Sequence, residues 1–137
     1  RHLAYAVSAV NMASLDAGMF FLYIATRPEN RDEALRGLLR ELERLRLEPP
    51  GEDELRRARE YIAGSYEIGL QTVASQAMNL ALNECYGLGW EMSAEYPLMI
   101  RRVSAEDVKR VAGKYLRTDR YVLAELVPEP EEDEEEP

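Results

Sequence analysis

The chain is short of the residues from which self-contained active sites are usually assembled. It has one histidine, His2, at its extreme start, and one cysteine, Cys85. A single cysteine excludes an internal disulfide and cannot by itself build a thiolate metal centre. Neither H-E-x-x-H nor the inverted H-x-x-E-H occurs anywhere, so the two-histidine helix of a zinc hydrolase is excluded on this chain. Gly64, Gly69, Gly87 and Gly89 do not fall at phosphate-loop spacings, and no nucleophile elbow surrounds any serine. Long apolar runs are missing too. None approaches the roughly 18 residues of a membrane-spanning helix, which excludes a transmembrane role for this sequence.

What is present is a soluble composition on 137 residues, 46% hydrophobic and 31% charged, enough for one domain with a modest core. The net charge of -9 is concentrated at one end. Residues 129–137 hold seven acids and no base, and the remainder carries 19 acids against 17 bases, so the body is nearly neutral and its charge names no partner. The acidic run is expected to be a disordered tail. The eight tyrosines are spread along the chain with no interleaved basic stripe, and a nucleic-acid platform is not expected. Arg36, Arg40 and Arg44, close to Glu33, Glu41 and Glu43, read as a solvated helix face with ion pairs. The chain opens on Arg1 and passes directly into strand-like alternation, which reads as a piece of something longer.

Two segments, 3–12 and 17–26, are rich in β-branched, aromatic and small residues and read as strands joined in a hairpin over Ala13 to Asp16. In the second, Phe20, Leu22 and Ile24 alternate with Met19, Phe21 and Tyr23, so both faces are apolar. From Pro28 to Arg46 the period becomes helical, with Leu35, Leu38, Leu39, Leu42 and Leu45 on one side. Pro49, Pro50 and Gly51 end that helix, and acidic Glu52 to Glu54 begin another whose stripe is Leu55, Ala58, Ile62 and Tyr66. Ala74, Ala77, Met78, Ala81 and Cys85 suggest a third helix that buries a small-residue face, with Cys85 in the core. A shorter helix over 92–102 has Pro97 in its first turn or bends there. Ser104 caps a last helix, with Asp107 three residues on as a short capping box, and 120–127 reads as a final strand. The order strand, strand, four or five helices, strand predicts an α+β domain, an antiparallel sheet covered on one face by helices. It would span 1–128.

Several segments in this order resemble a known family. These are L-A-Y-A-V-S-A at 3–9, D-A-G-M-F at 16–20, T-x-P-E-N-x-D-E-A-L at 26–35, E-L-R-R-A-R-E-Y at 54–61, Y-G-L-G at 86–89 and V-S-A-E-D-V-K-R-V-A-G-K-Y-L at 103–116. Together the chain resembles the C-terminal, non-catalytic half of the pitrilysin/insulinase family of inverted-zincin, processing-peptidase-like zinc metallopeptidases. The resemblance implies one truncated domain of that fold, facing a zinc-bearing N-terminal half on the same or a separate chain, and closing a chamber around an unfolded peptide substrate. It implies no catalytic residue and no metal ligand here; zinc is expected on the partner half, and the chain alone is expected to be inactive. Tyr5 matches the tyrosine of the family's substrate-binding arginine–tyrosine pair, whose arginine would fall two positions before Arg1. A phenol there can donate to the oxyanion formed when zinc-bound water attacks a peptide carbonyl. Local packing of Tyr5 in a strand is the other reading of that residue. At the level of function the alternative is a peptidase-dead scaffold subunit of the same fold. An incomplete sheet is expected to expose apolar surface and self-associate.

Overall fold

A computed structural model of the protein describes residues 3–14 and 16–127. His2 and the acidic run 129–137 lie outside the described residues. The two strand segments form β1 (Ala6–Met12) and β2 (Met19–Ala25), an antiparallel pair in the register Ala6↔Ala25 to Met12↔Met19. The register puts Val7 opposite Ile24 and Ala9 opposite Leu22, which gathers aliphatic side chains on one face because alternate residues of a strand share a side.

The chain leaves β2 through a 3-10 turn at Pro28–Asn30 and enters α1 (Arg31–Leu47). Pro28 suits this entry, because its missing N–H is one the first turn would leave unpaired in any case. Helix α1 faces the aliphatic side of the sheet across a groove of about 540 Å³, with Leu38, Leu42 and Leu45 opposite Val7, Leu22 and Ile24. The groove is open, so the leucine stripe is half-buried and only Ala34 of this helix is fully sheltered. After the Pro-Pro-Gly break come α2 (Glu52–Gly69), α3 (Val73–Cys85), α4 (Met92–Arg102) and α5 (Ala105–Tyr115). Helix α5 packs on α1, whereas α4 packs on both α2 and α3.

Small side chains set these crossings. Ala63 of α2 is wholly buried and Ala112 of α5 nearly so, since alanine lets two backbones approach closely. Around Ala63 the α2–α4 contact is completed by Tyr66 and Tyr96, whose ring centroids are 4.5 Å apart with planes tilted by 41°, the offset geometry that aromatic quadrupoles favour. The Nε–H of Arg59 on α2 donates to the Val103 carbonyl at 2.7 Å, satisfying one of the orphan acceptors at the end of α4.

Several expectations are corrected. In α2 the sheltered positions are Leu55 and Ala63, while Ala58 and Ile62 are exposed. Helix α3 is turned the other way from its apolar pattern: Ala74, Ala77, Met78, Ala81 and Cys85 are exposed, and the sheltered line is Ser75, Asn79 and Asn83. Hydrogen bonding explains it. The Tyr66 hydroxyl donates to Asn79 Oδ1 at 2.9 Å, and Asn83 Nδ2 donates to the same oxygen at 3.2 Å, so the asparagines meet partners that an alanine face could not supply. Pro97 sits in the interior of α4 and is buried, beyond the first turn. The final strand is not formed. Residues 121–127 pair with no strand and leave Val122 and Leu126 almost fully exposed; among the described residues the sheet has only β1 and β2.

Much apolar surface of the described residues is exposed. Large apolar side chains on both faces of the hairpin contribute, among them Val7, Met19, Phe20 and Tyr23, each about half exposed or more. Two strands are too few to be stable by themselves in water.

Candidate functional site

Tyr5 lies immediately before β1, at the end of the sheet remote from the hairpin loop. Its backbone N–H donates to the Ala25 carbonyl at 2.8 Å, extending the ladder by one bond. Beside it the Thr26 hydroxyl donates to the Leu3 carbonyl at 2.5 Å. These two bonds fix the crossing of the chain ends. The Tyr5 side chain is not packed into the sheet: it is 71% exposed.

Its hydroxyl has one partner among the described residues. Arg27 Nε–H donates to Tyr5 Oη at 2.6 Å, and the guanidinium carbon stands 6.0 Å from the ring centroid, within cation–π range. Arg27 is itself held in place. It precedes Pro28, which disfavours helical backbone at the preceding residue, and it adopts an extended φ of -73° and ψ of 152° at the mouth of the 3-10 turn. Glu29 Oε1 is 4.0 Å from Arg27 Nη1. The hydrogen bond to Tyr5, then the electrostatic pull of the Tyr5 oxygen and of Glu29, push the Arg27 pKa above its ordinary value, and the guanidinium is a permanent cation.

Arg27 also lines a second groove, of about 490 Å³, between the end of β2 and the extended segment 123–127. Across it Arg31 makes a forked pair with Glu125: Nε donates to Oε1 at 2.7 Å and Nη2 to Oε2. The fork holds the Glu125 carboxyl below the usual carboxylate range. This pair ties the unpaired segment to the start of α1.

The arrangement can bind and orient a ligand through the Tyr5 hydroxyl and the Arg27 guanidinium. Among the described residues no group of three or more His, Cys, Asp or Glu is placed to hold a metal ion, and no helix is long and apolar enough to cross a membrane. The residue that sequence reasoning missed is Arg27. The signal was in the hairpin: with Ala6 opposite Ala25, the next positions along the two strands bring 26 and 27 alongside Tyr5 and Ala4, which becomes visible only once the register is known.

The family model described as Peptidase M16 inactive domain matches residues 1–62. Among solved structures, a "putative zinc protease" from Bordetella pertussis Tohama I matches with 26% sequence identity and a TM-score of 0.70, over 85% of this chain and 64% of that one. The inactive peptidase domain of a "putative zinc protease" from Bordetella parapertussis matches with the same identity and TM-score, over 85% of this chain and 63% of that one. The chain thus spans a little under two thirds of each. No curated protein matches it. By sequence over its first 62 residues and by fold over 85% of its length, the chain resembles the Peptidase M16 inactive domain and the inactive peptidase domains of such zinc proteases.

Proposed function

We propose that this domain, spanning 1–128 with the acidic residues 129–137 outside it, closes over a zinc-bearing half and helps hold an unfolded peptide against it. The zinc and the water it activates belong to that other half, on the same or a separate chain; this chain supplies binding. The observation that carries the reading is the exposed Tyr5 hydroxyl at the end of a hairpin that leaves Val7, Met19, Phe20 and Tyr23 about half exposed or more. A phenol in that position donates to the oxygen of a peptide carbonyl, and the donation strengthens as the oxygen gains charge during attack.

The uncovered apolar surface supports two associations. In the whole protein the other half covers part of it; the chain by itself associates with further copies. The exposed apolar line of α3, including Val73, Ala77 and Met78, favours the second reading, a scaffold role in which the domain docks partners with no proteolysis.

The test is cleavage of an unstructured peptide by the full protein, with and without a zinc chelator, repeated with Tyr5→Phe. The peptidase reading expects chelator-sensitive cleavage that falls about tenfold on loss of the hydroxyl. No cleavage by the zinc-replete protein transfers the assignment to the scaffold. Cleavage indifferent to Tyr5→Phe keeps the peptidase and removes Tyr5 from its site.

A further inference from the structure

We infer that Arg27 is a positioning residue that locks the Tyr5 hydroxyl as an outward-facing donor, making this end of the sheet selective for carbonyl or carboxylate oxygen. The inference deepens the peptide-binding reading of Tyr5 and rests on it.

A phenol oxygen offers one O–H donor and acceptor lone pairs. Free in water, the hydroxyl rotates about its C–O bond and can meet either a donor or an acceptor. In this structure the Arg27 Nε–H already fills the acceptor side at 2.6 Å. What remains for a ligand is the O–H, and its complement is an oxygen acceptor. A peptide N–H approaching the same oxygen would meet a guanidinium donor and its positive charge, and would be rejected. The lock therefore converts an ambivalent group into a directional one, which a transition-state contact needs before the reaction begins.

Three features of the chain build the lock. Pro28 holds Arg27 in extended backbone. The Tyr5 N–H to Ala25 carbonyl and Thr26 hydroxyl to Leu3 carbonyl bonds fix the two strand ends side by side. Glu29, 4.0 Å from Nη1, draws the far side of the guanidinium toward the 3-10 turn, so the Nε edge is the one that faces the phenol. Lysine could not replace this arginine. It carries a point charge on a rotating stem and has no planar Nε–H fixed in direction.

The test is a double-mutant cycle in the full protein, read by peptide affinity in the zinc-depleted state and by kcat and KM in the zinc-replete state. The variants are Tyr5→Phe, Arg27→Gln, Arg27→Lys and the Tyr5→Phe/Arg27→Gln double, with an unstructured peptide as probe. Both Arg27 variants alter an exposed side chain, and their thermal unfolding should match that of the unaltered protein. The expected result is that Tyr5→Phe and Arg27→Gln each lower kcat/KM about tenfold, that the double variant is no worse than either, and that Arg27→Lys does not recover the loss. A drop with Tyr5→Phe but none with Arg27→Gln, full recovery with lysine, or strictly multiplicative losses would each overturn the positioning role while leaving Tyr5 in the site. A Tyr5→Phe variant with unchanged affinity and kinetics would remove both the site and the lock.

Discussion

Replacing Ser104 by alanine should expose how much of the last helix rests on its cap, and should tie that cap to a titration. Three bonds meet at this position. Ser104 Oγ accepts from the Asp107 backbone N–H at 3.1 Å, the Asp107 carboxylate accepts from the Ser104 backbone N–H at 3.1 Å, and the Ser104 hydroxyl donates to the same carboxylate oxygen at 2.6 Å. The reciprocal arrangement satisfies two backbone donors at once. Removing the hydroxyl breaks the first and third bonds and costs about 1 to 2 kcal/mol, the upper half of the range for N-caps. For a chain of this size, unfolding shifts by about 4 °C per kcal/mol, so Ser104→Ala should lower the midpoint by about 4 to 8 °C at neutral pH. Its pH dependence follows from Asp107, whose carboxyl is pulled down to about 2, first by the Ser104 hydroxyl, then by Arg110. A carboxylate with a depressed native pKa stabilises the fold above its unfolded value, near 4, and loses that contribution as the pH falls toward 2. The gap between the two proteins should therefore narrow between about pH 4 and pH 2. Thermal unfolding followed by far-ultraviolet circular dichroism at pH 7, 4 and 2.5 measures it. A gap under about 1 °C at pH 7, or one that does not change on acidification, would refute the account of this cap.

Other outcomes can be checked alongside. Leu55→Ala, at a position 5% exposed between α2 and its neighbours, should destabilise by about 2 to 3 kcal/mol, the lower part of the range because an open structure can collapse around the gap; denaturant unfolding reads it. Gly87→Ala forces a side chain onto a residue with φ of +70° and should cost about 1 kcal/mol by the same measurement. Arg31→Ala releases Glu125 and should speed limited proteolysis within 121–127. Because Glu125 is depressed by Arg31, acidification below the ordinary carboxylate range should produce the same acceleration in the unaltered protein, and a cleavage rate indifferent to both changes would contradict the tether.

The elements with strong local signals were legible before any coordinates. The hairpin followed from β-branched alternation, α1 from its leucine period, the α5 boundary from Ser104 and Asp107, and the α3 stop from Gly87 and Gly89, both of which adopt positive φ. What failed was the direction in which a helix faces. Periodicity records which residues share a side but not which side meets a neighbour, and in α3 the hydrogen bonds among Tyr66, Asn79 and Asn83 outweighed the apolar line. Residues 120–127 carry strand-forming side chains, yet a strand is completed by a partner edge that these residues do not find. At the candidate site, Tyr5 was singled out through family resemblance alone, and its role is a proposal. Arg27 was not, since its contact spans 22 positions and depends on strand register.

The central claim is that this domain holds peptide for chemistry performed elsewhere. The most direct measurement is hydrolysis of an unstructured peptide by the zinc-bearing half, with and without this domain present. The account predicts that cleavage depends on the domain and that the domain alone cleaves nothing. Equal cleavage in its absence would contradict it.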